Sequence, residues 1–276
     1  MRDFWKKYQY AAIAAVFILA GGLFVLRDGI SGLLYFGSEN PPAPAAEEKF
    51  GVSDDNETAP VDGSASPDVR KSAVMTPSYT GRDPEEVKPR PDDVQIFSEE
   101  QKKQIYAEIG NNGNAVKKNP DFFHGWLQLG LLKKTIGDFK GAADAWEYAG
   151  LIRPQNAVSF ANLGELYWRY LPDYPRAEKN FRVAIQNKPD DTGTYVSLSD
   201  LYYYSYKEKQ QLADDVLMEG ITARPTEAVN LKRALAALYE RAGDREKAIV
   251  WWKKVLEEEP DNADVAAAIA ALEKTQ

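Results

Sequence analysis

The chain has 276 residues, a formal net charge of −8, one histidine and no cysteine. The acidic balance argues against a nucleic-acid-binding surface as the main purpose. The missing cysteines exclude disulfides, thiolate nucleophiles and cysteine-based zinc or iron–sulfur sites, and His124 alone excludes any mechanism needing two histidines.

Residues 8–26 form a run of 19 uncharged, mostly apolar side chains between Lys7 and Arg27. As a helix it would cover roughly 28 Å, close to the hydrocarbon thickness of a bilayer. Trp5, Tyr8 and Tyr10 lie at one end, and Tyr35 and Phe36 beyond the other, where half-wet rings are favoured. The run is longer than the apolar core of a cleaved signal peptide, and the nearest small-x-small site, Ala43-Pro44-Ala45, lies far downstream. The expectation for residues 1–36 is an uncleaved transmembrane anchor. Arg2, Lys6 and Lys7 then place the N-terminus in the cytoplasm and the rest of the chain on the far side of the cytoplasmic membrane.

Residues 37–97 hold nine of the sixteen prolines, and thirteen acidic against six basic side chains. Their apolar residues follow no period. Such a segment cannot offset its ordering entropy by burial, so a disordered linker is expected, with a typical span of roughly 45 Å.

The remainder, residues 98–276, is periodic. Prolines 120, 154, 189, 225 and 260 recur at spacings of 34, 35, 36 and 35. The residues between them match in kind. The first repeat reads Trp126-x-x-Leu129-Gly130, then Ala142-x-x-x-Trp146-x-x-Ala149. The second reads Phe160-x-x-Leu163-Gly164-x-x-Tyr167, then Ala177-x-x-x-Phe181-x-x-Ala184. The third reads Tyr195-x-x-Leu198-Ser199-x-x-Tyr202, then Ala213-x-x-x-Leu217-x-x-Gly220. The fourth reads Leu235-Ala236-x-x-Tyr239, then Ala248-x-x-x-Trp252-x-x-Val255. A period near 34 residues is the mark of helix–turn–helix solenoids. Small residues at Gly130, Gly164, Ser199 and Ala236 let paired helices approach, and each proline ends a second helix. Gly137 and Gly243 fall in tight turns, whereas the turns of repeats two and three are longer by about one and two residues. Lys133 departs from the pattern where the second, third and fourth repeats carry tyrosine; Lys232 departs where an apolar residue is expected, with Leu231 beside it. Ser98-x-x-Gln101 has the form of a capping box opening a helix over 98–118, and a last helix is expected over 262–275 with Ala266, Ile269 and Ala270 buried.

This pattern resembles the tetratricopeptide-repeat family over residues 123 to 260. The resemblance implies an all-α fold: repeats at about 123–156, 157–191, 192–227 and 229–262, with capping helices at both ends. It also implies that first-helix residues line a concave groove. Carried over, these are His124, Leu127, Gln128 and Leu131; Asn162, Glu165, Trp168 and Arg169; Ser197, Asp200, Tyr203 and Tyr204; and Arg233 and Arg241. Trp168 has a second expected place, packed under the turn at 171–175. Aromatic platforms, amides and mixed charges suit an extended peptide or a partner helix. Leu127 and Leu131 stand where the family members that clamp chaperone tails need Lys and Asn, which disfavours that ligand.

No phosphate-binding glycine loop, nucleophile elbow or metal-ligand cluster is present, so no catalytic, cofactor or metal residue is assigned. Glu165 and Asp200 stand one repeat apart, but repetition places charges in rows without catalysis. The expected protein is a membrane-anchored scaffold of the bacterial single-pass type. It would bind a protein partner and no nucleic acid, and would serve envelope assembly, secretion or complex biogenesis. The alternative is self-association through solenoid faces, for which Trp251-Trp252 offers one large side chain beyond core needs.

Overall fold

The periodic region folds as helix pairs whose limits are set by side-chain caps and glycine turns. The computed structural model describes residues 76–274, except 225 and 227; the expected span at 8–26 and the linker as far as residue 75 lie outside the described residues. Among the described residues the secondary structure is helical throughout, and no helix is long and apolar enough to cross a membrane.

In chain order, a short turn α1 (Pro91–Val94) precedes the capping helix α2 (Glu99–Lys118). Pair one is α3 (Phe123–Thr135) and α4 (Phe139–Ile152). Pair two is α5 (Ala157–Arg169) and α6 (Tyr174–Asn187). Pair three opens with α7 (Thr192–Asp200), runs through a π-helical stretch Leu201–Ser205 and a 3-10 stretch Lys207–Leu212, and closes with α8 (Ala213–Ala223). Pair four is α9 (Val229–Ala242) and α10 (Arg245–Glu258), followed by α11 (Ala263–Lys274).

The start of each helix has a local cause. Ser98 and Gln101 exchange reciprocal hydrogen bonds, the capping box expected for α2. Asp138, Asn156, Asp173, Asp191 and Asp244 each accept a backbone N–H at the start of α4, α5, α6, α7 and α10. Gly137 and Gly243 adopt φ of +79°, the left-handed geometry a short turn needs and an L side chain resists. In pairs two and three, which lack that glycine, the turn lengthens as expected, through Tyr170 to Asp173 and through the π and 3-10 stretches.

Within each pair a small residue admits a large one. A Cβ on Gly130 would collide with the Trp146 indole, and one on Gly164 would lie 2.5 Å from Phe181. In pair three Ser199 is buried and donates to the Ala213 carbonyl at 2.7 Å. Between pairs, each second helix packs on the first helix of the next, so buried side chains run on from Trp146 through Leu163, Phe181, Leu198 and Leu217 to Leu235. Each such residue contributes about 1.5–3 kcal/mol of burial, realised only if its neighbour is folded.

A tyrosine fastens each junction. Tyr167 donates to Glu147 at 2.6 Å, Tyr202 to Glu178 at 2.7 Å and Tyr239 to Asp214 at 2.8 Å. Each acceptor lies on the second helix of the preceding pair. Burial, reinforced by the neighbouring carboxylate, raises all three phenols, Tyr202 to about 12.

Pair one has Lys133 at this position, and the departure has a structural purpose. Residues 77–97, expected from composition to be linker, are ordered as a strap against α2, α3 and α4. Tyr79 lies against Trp126 and Tyr148, with ring centroids 4.6 and 5.3 Å away. Tyr148 donates to the Pro77 carbonyl at 2.6 Å. Arg82 reaches Asp144 at 2.7 Å and Asp138 at 3.3 Å. The Lys133 ammonium, only 3% exposed as a residue, donates to the Glu86 carbonyl at 2.6 Å and lies 3.4 Å from Asp138. Further along, the Arg90 N–H donates to the Ile136 carbonyl at 2.8 Å, and Arg90 stands over the Phe139 ring. Gly113 on α2 leaves room for the backbone at Pro84 and Glu85. Composition under-read this segment because a few specific anchors, not periodic burial, hold it down.

At the other end, Leu231 is buried and replaces the displaced apolar position, while Lys232 pairs with Glu258. The last helix buries Val265 and Ile269, spaced by one turn; Ala266 and Ala270, expected inside, are exposed. Ser159 is fully buried with no hydrogen-bond partner for its hydroxyl. Ser159→Ala should therefore raise stability by about 1 kcal/mol, read as a higher urea midpoint. A loss of similar size would reveal a partner for the hydroxyl.

Candidate functional site

The first helices bring most of the expected groove residues onto neighbouring turns, in two clusters. One lies on α5 and its surroundings. Arg169 stands 3.8 Å over the Trp168 ring and 3.8 Å from Glu165, and Lys134 reaches Glu165 from pair one at 3.5 Å. Trp168 is buried, not open: its indole N–H donates to Ser205 at 2.8 Å, and its ring meets Phe181 edge-on. It pins pair three to pair two, and Arg169 covers one face of its ring.

The second cluster is a cleft of about 330 Å³ between α7 and α9, lined by Val196, Asp200, Arg233, Ala234, Ala237 and Arg241, with Ser199, Leu217 and Asn230 completing it. Burial raises the Asp200 carboxyl above the usual carboxylate range, against the opposing pull of Arg241 and Arg169. Among the described residues Asp200 has no hydrogen-bond donor and no cation within 4.0 Å. Arg233, expected as an anchor, is already held by both Glu259 oxygens, at 2.7 and 2.8 Å, and by Asn230 at 3.1 Å. It shapes the cleft wall rather than offering a free guanidinium.

Between the clusters the π-helical stretch inserts an extra residue into the turn, closed by the Tyr206 N–H on Leu201 at 2.8 Å. The three consecutive tyrosines therefore divide. Tyr202 is fully buried, Tyr203 is half-buried, and Tyr204 is 47% exposed. Tyr203 and Tyr204 meet edge to face at 4.9 Å, Lys207 stands over Tyr203 at 5.7 Å, and Arg241 over Tyr204 at 5.5 Å.

His124 is exposed near the start of α3, edge-on to Phe123. Gln128 and Asn162 are half-buried, and their amides have no partner among the described residues. Leu127 and Leu131 pack on the core from this side, and Ser197 is half-buried. Sequence reasoning missed Lys134, Lys207 and Asn230; Lys207 could have been found as a basic residue four positions from Tyr203, and Lys134 as one three positions from Leu131. Trp251, suggested as a contact patch, is half-buried under Lys254, and Trp252 donates to Glu240 at 3.2 Å. Among the described residues no His, Asp and Glu cluster is placed to hold a metal ion.

Taken together, helix pairs with small-to-large packing, stacked in series, define a tetratricopeptide-like helical solenoid. No protein-family model and no curated protein matches the chain. Among solved structures it is similar to MamA, at 20% identity over 60% of this chain and 94% of that one, with a TM-score of 0.47. It is also similar to TTC0263, a tetratricopeptide protein of Thermus thermophilus, at 19% identity over 65% and 94%, TM-score 0.41. A third is YrrB, a tetratricopeptide protein described as having an unusual peptide-binding site, at 15% identity over 58% and 81%, TM-score 0.43.

Proposed function

We propose that this protein is a protein–protein interaction scaffold that holds an extended segment of its partner along the first helices of pairs two to four. The observation that carries this is the α7–α9 cleft, where Asp200 is half-buried with no hydrogen-bond donor among the described residues. A half-buried carboxylate in that state is stabilised by a ligand N–H. The exposed Tyr204 ring on pair three and the half-buried Asn162 amide on pair two add polar and aromatic contacts along these helices. Membrane anchoring through residues 8–26, with the solenoid outside the cytoplasm, accompanies this reading. The anchor would raise the local concentration of partners at the membrane, which suits envelope assembly, secretion or complex biogenesis.

A photo-crosslinking residue at Tyr204 should give an adduct of defined mass in cells. One at Val250, exposed on the second helix of pair four, should give none. Equal labelling at both positions, or none at Tyr204, would remove the groove from the account.

A further inference from the structure

The charges along this surface are not balanced from within. Arg169 is exposed, and the nearest carboxylate oxygen, on Glu165, is 3.8 Å away, beyond hydrogen-bond length. Arg241 is exposed and has no carboxylate within 4.0 Å among the described residues. Lys207 is exposed and, among the described residues, donates only to the Tyr203 carbonyl. Each of the three cations stands over an aromatic ring, Trp168, Tyr204 or Tyr203, which fixes its position without neutralising it. Arg241 lines the same cleft as Asp200, and Arg169 covers Trp168, whose indole N–H reaches Ser205 of pair three, so the groups follow one another across pairs two, three and four.

A ligand for this surface must bring carboxylates for the guanidiniums and a neutral donor for Asp200. A lysine or arginine side chain would meet Asp200 but would be repelled by the flanking cations. A phosphodiester backbone would satisfy the cations but would press its charge on Asp200, and the chain carries a net −8 besides. An acidic peptide supplies both kinds of group at once.

Resting on the groove reading above, we propose that the partner segment is an acidic peptide in extended form: its carboxylate side chains pair with Arg169 and Arg241, and one of its backbone N–H groups donates to Asp200. Lys207 adds charge at the rim. Guanidinium–carboxylate pairs are directional, so the interaction selects position as well as sign.

The test titrates the full chain with three rhodamine-labelled ten-residue peptides of one sequence, carrying Glu, Gln or Lys at alternate positions, and with a labelled oligothymidine of ten nucleotides, by fluorescence anisotropy. The Glu peptide is expected to bind at least about 10-fold more tightly than the Gln peptide, and the Lys peptide most weakly. Arg169→Gln or Arg241→Gln should each bring the Glu peptide close to the Gln peptide, and Asp200→Leu should weaken both. Lys179→Gln, exposed on α6, should change neither. Equal affinity for the Glu and Gln peptides would overturn the charge assignment while leaving the groove in place. Oligothymidine binding as tight as the Glu peptide would overturn the choice of a peptide. No binding by any probe would overturn the proposal, and the crosslink at Tyr204 then decides whether the groove reading fell with it.

Discussion

Asp138→Ala should destabilise the protein by about 3–5 kcal/mol, because it removes three things at once. Asp138 caps α4 through the Gly141 N–H at 2.9 Å, it receives Arg82 at 3.3 Å, and it is the carboxylate nearest the buried Lys133 ammonium. Without it, Lys133 keeps only the Glu86 carbonyl, and a buried charge lacking its counter-charge is costly. Asp138→Asn keeps the cap geometry and should cost less. Adding Lys133→Met to Asp138→Asn should recover part of the loss, since removing both charges avoids the orphan. Urea unfolding of the wild type and the three variants reads each loss directly; a loss below about 1 kcal/mol for Asp138→Ala would show that the strap contributes little. The same substitution should expose residues 77–97 to protease before the helix pairs are cut.

Trp146→Ala should cost a similar amount, about 3–5 kcal/mol, for a different reason. The indole is 1% exposed, fills the space left by Gly130, and donates to the Leu127 carbonyl at 3.1 Å. Its removal leaves a cavity between α3 and α4 that rigid helices close poorly. Gly130→Val attacks the contact from the other side and should also destabilise, because its Cβ would stand in the ring. Circular dichroism against urea checks both; native-like midpoints would mean that the small-to-large contact is not what holds the pair.

The helix pairs were legible because their causes are local and repeated. The proline spacing, the Leu-Gly and Leu-Ser motifs and the turn glycines each impose a geometry that neighbouring residues cannot alter. The last helix was legible as a helix and at Ile269, but not at its alanines: an alanine-rich stretch offers several similar faces, and α10 selected Val265 beside Ile269. The strap was illegible from composition, since Tyr79, Arg82 and Arg90 act one at a time against partners more than 40 positions away. Its only trace in the sequence was Lys133, a charge where the second, third and fourth repeats place tyrosine. The groove was half legible. Position along a first helix follows from the period: Asp200 and Arg169 end the first helices of their pairs, and Tyr204 lies in the π-helical stretch that follows Asp200. Whether a side chain there is free depends on its neighbours: Ser205 and Phe181 engage Trp168, and Glu259 engages Arg233.

Hydrogen exchange of the full chain, with and without its bound acidic segment, tests the central claim most directly. Slowed exchange is predicted on the first helices, over residues 162–169, 196–204 and 230–241, with α6, α8 and α10 unchanged. Slowed exchange confined to those second helices, or to the strap at 77–97, would place the partner elsewhere and contradict the account.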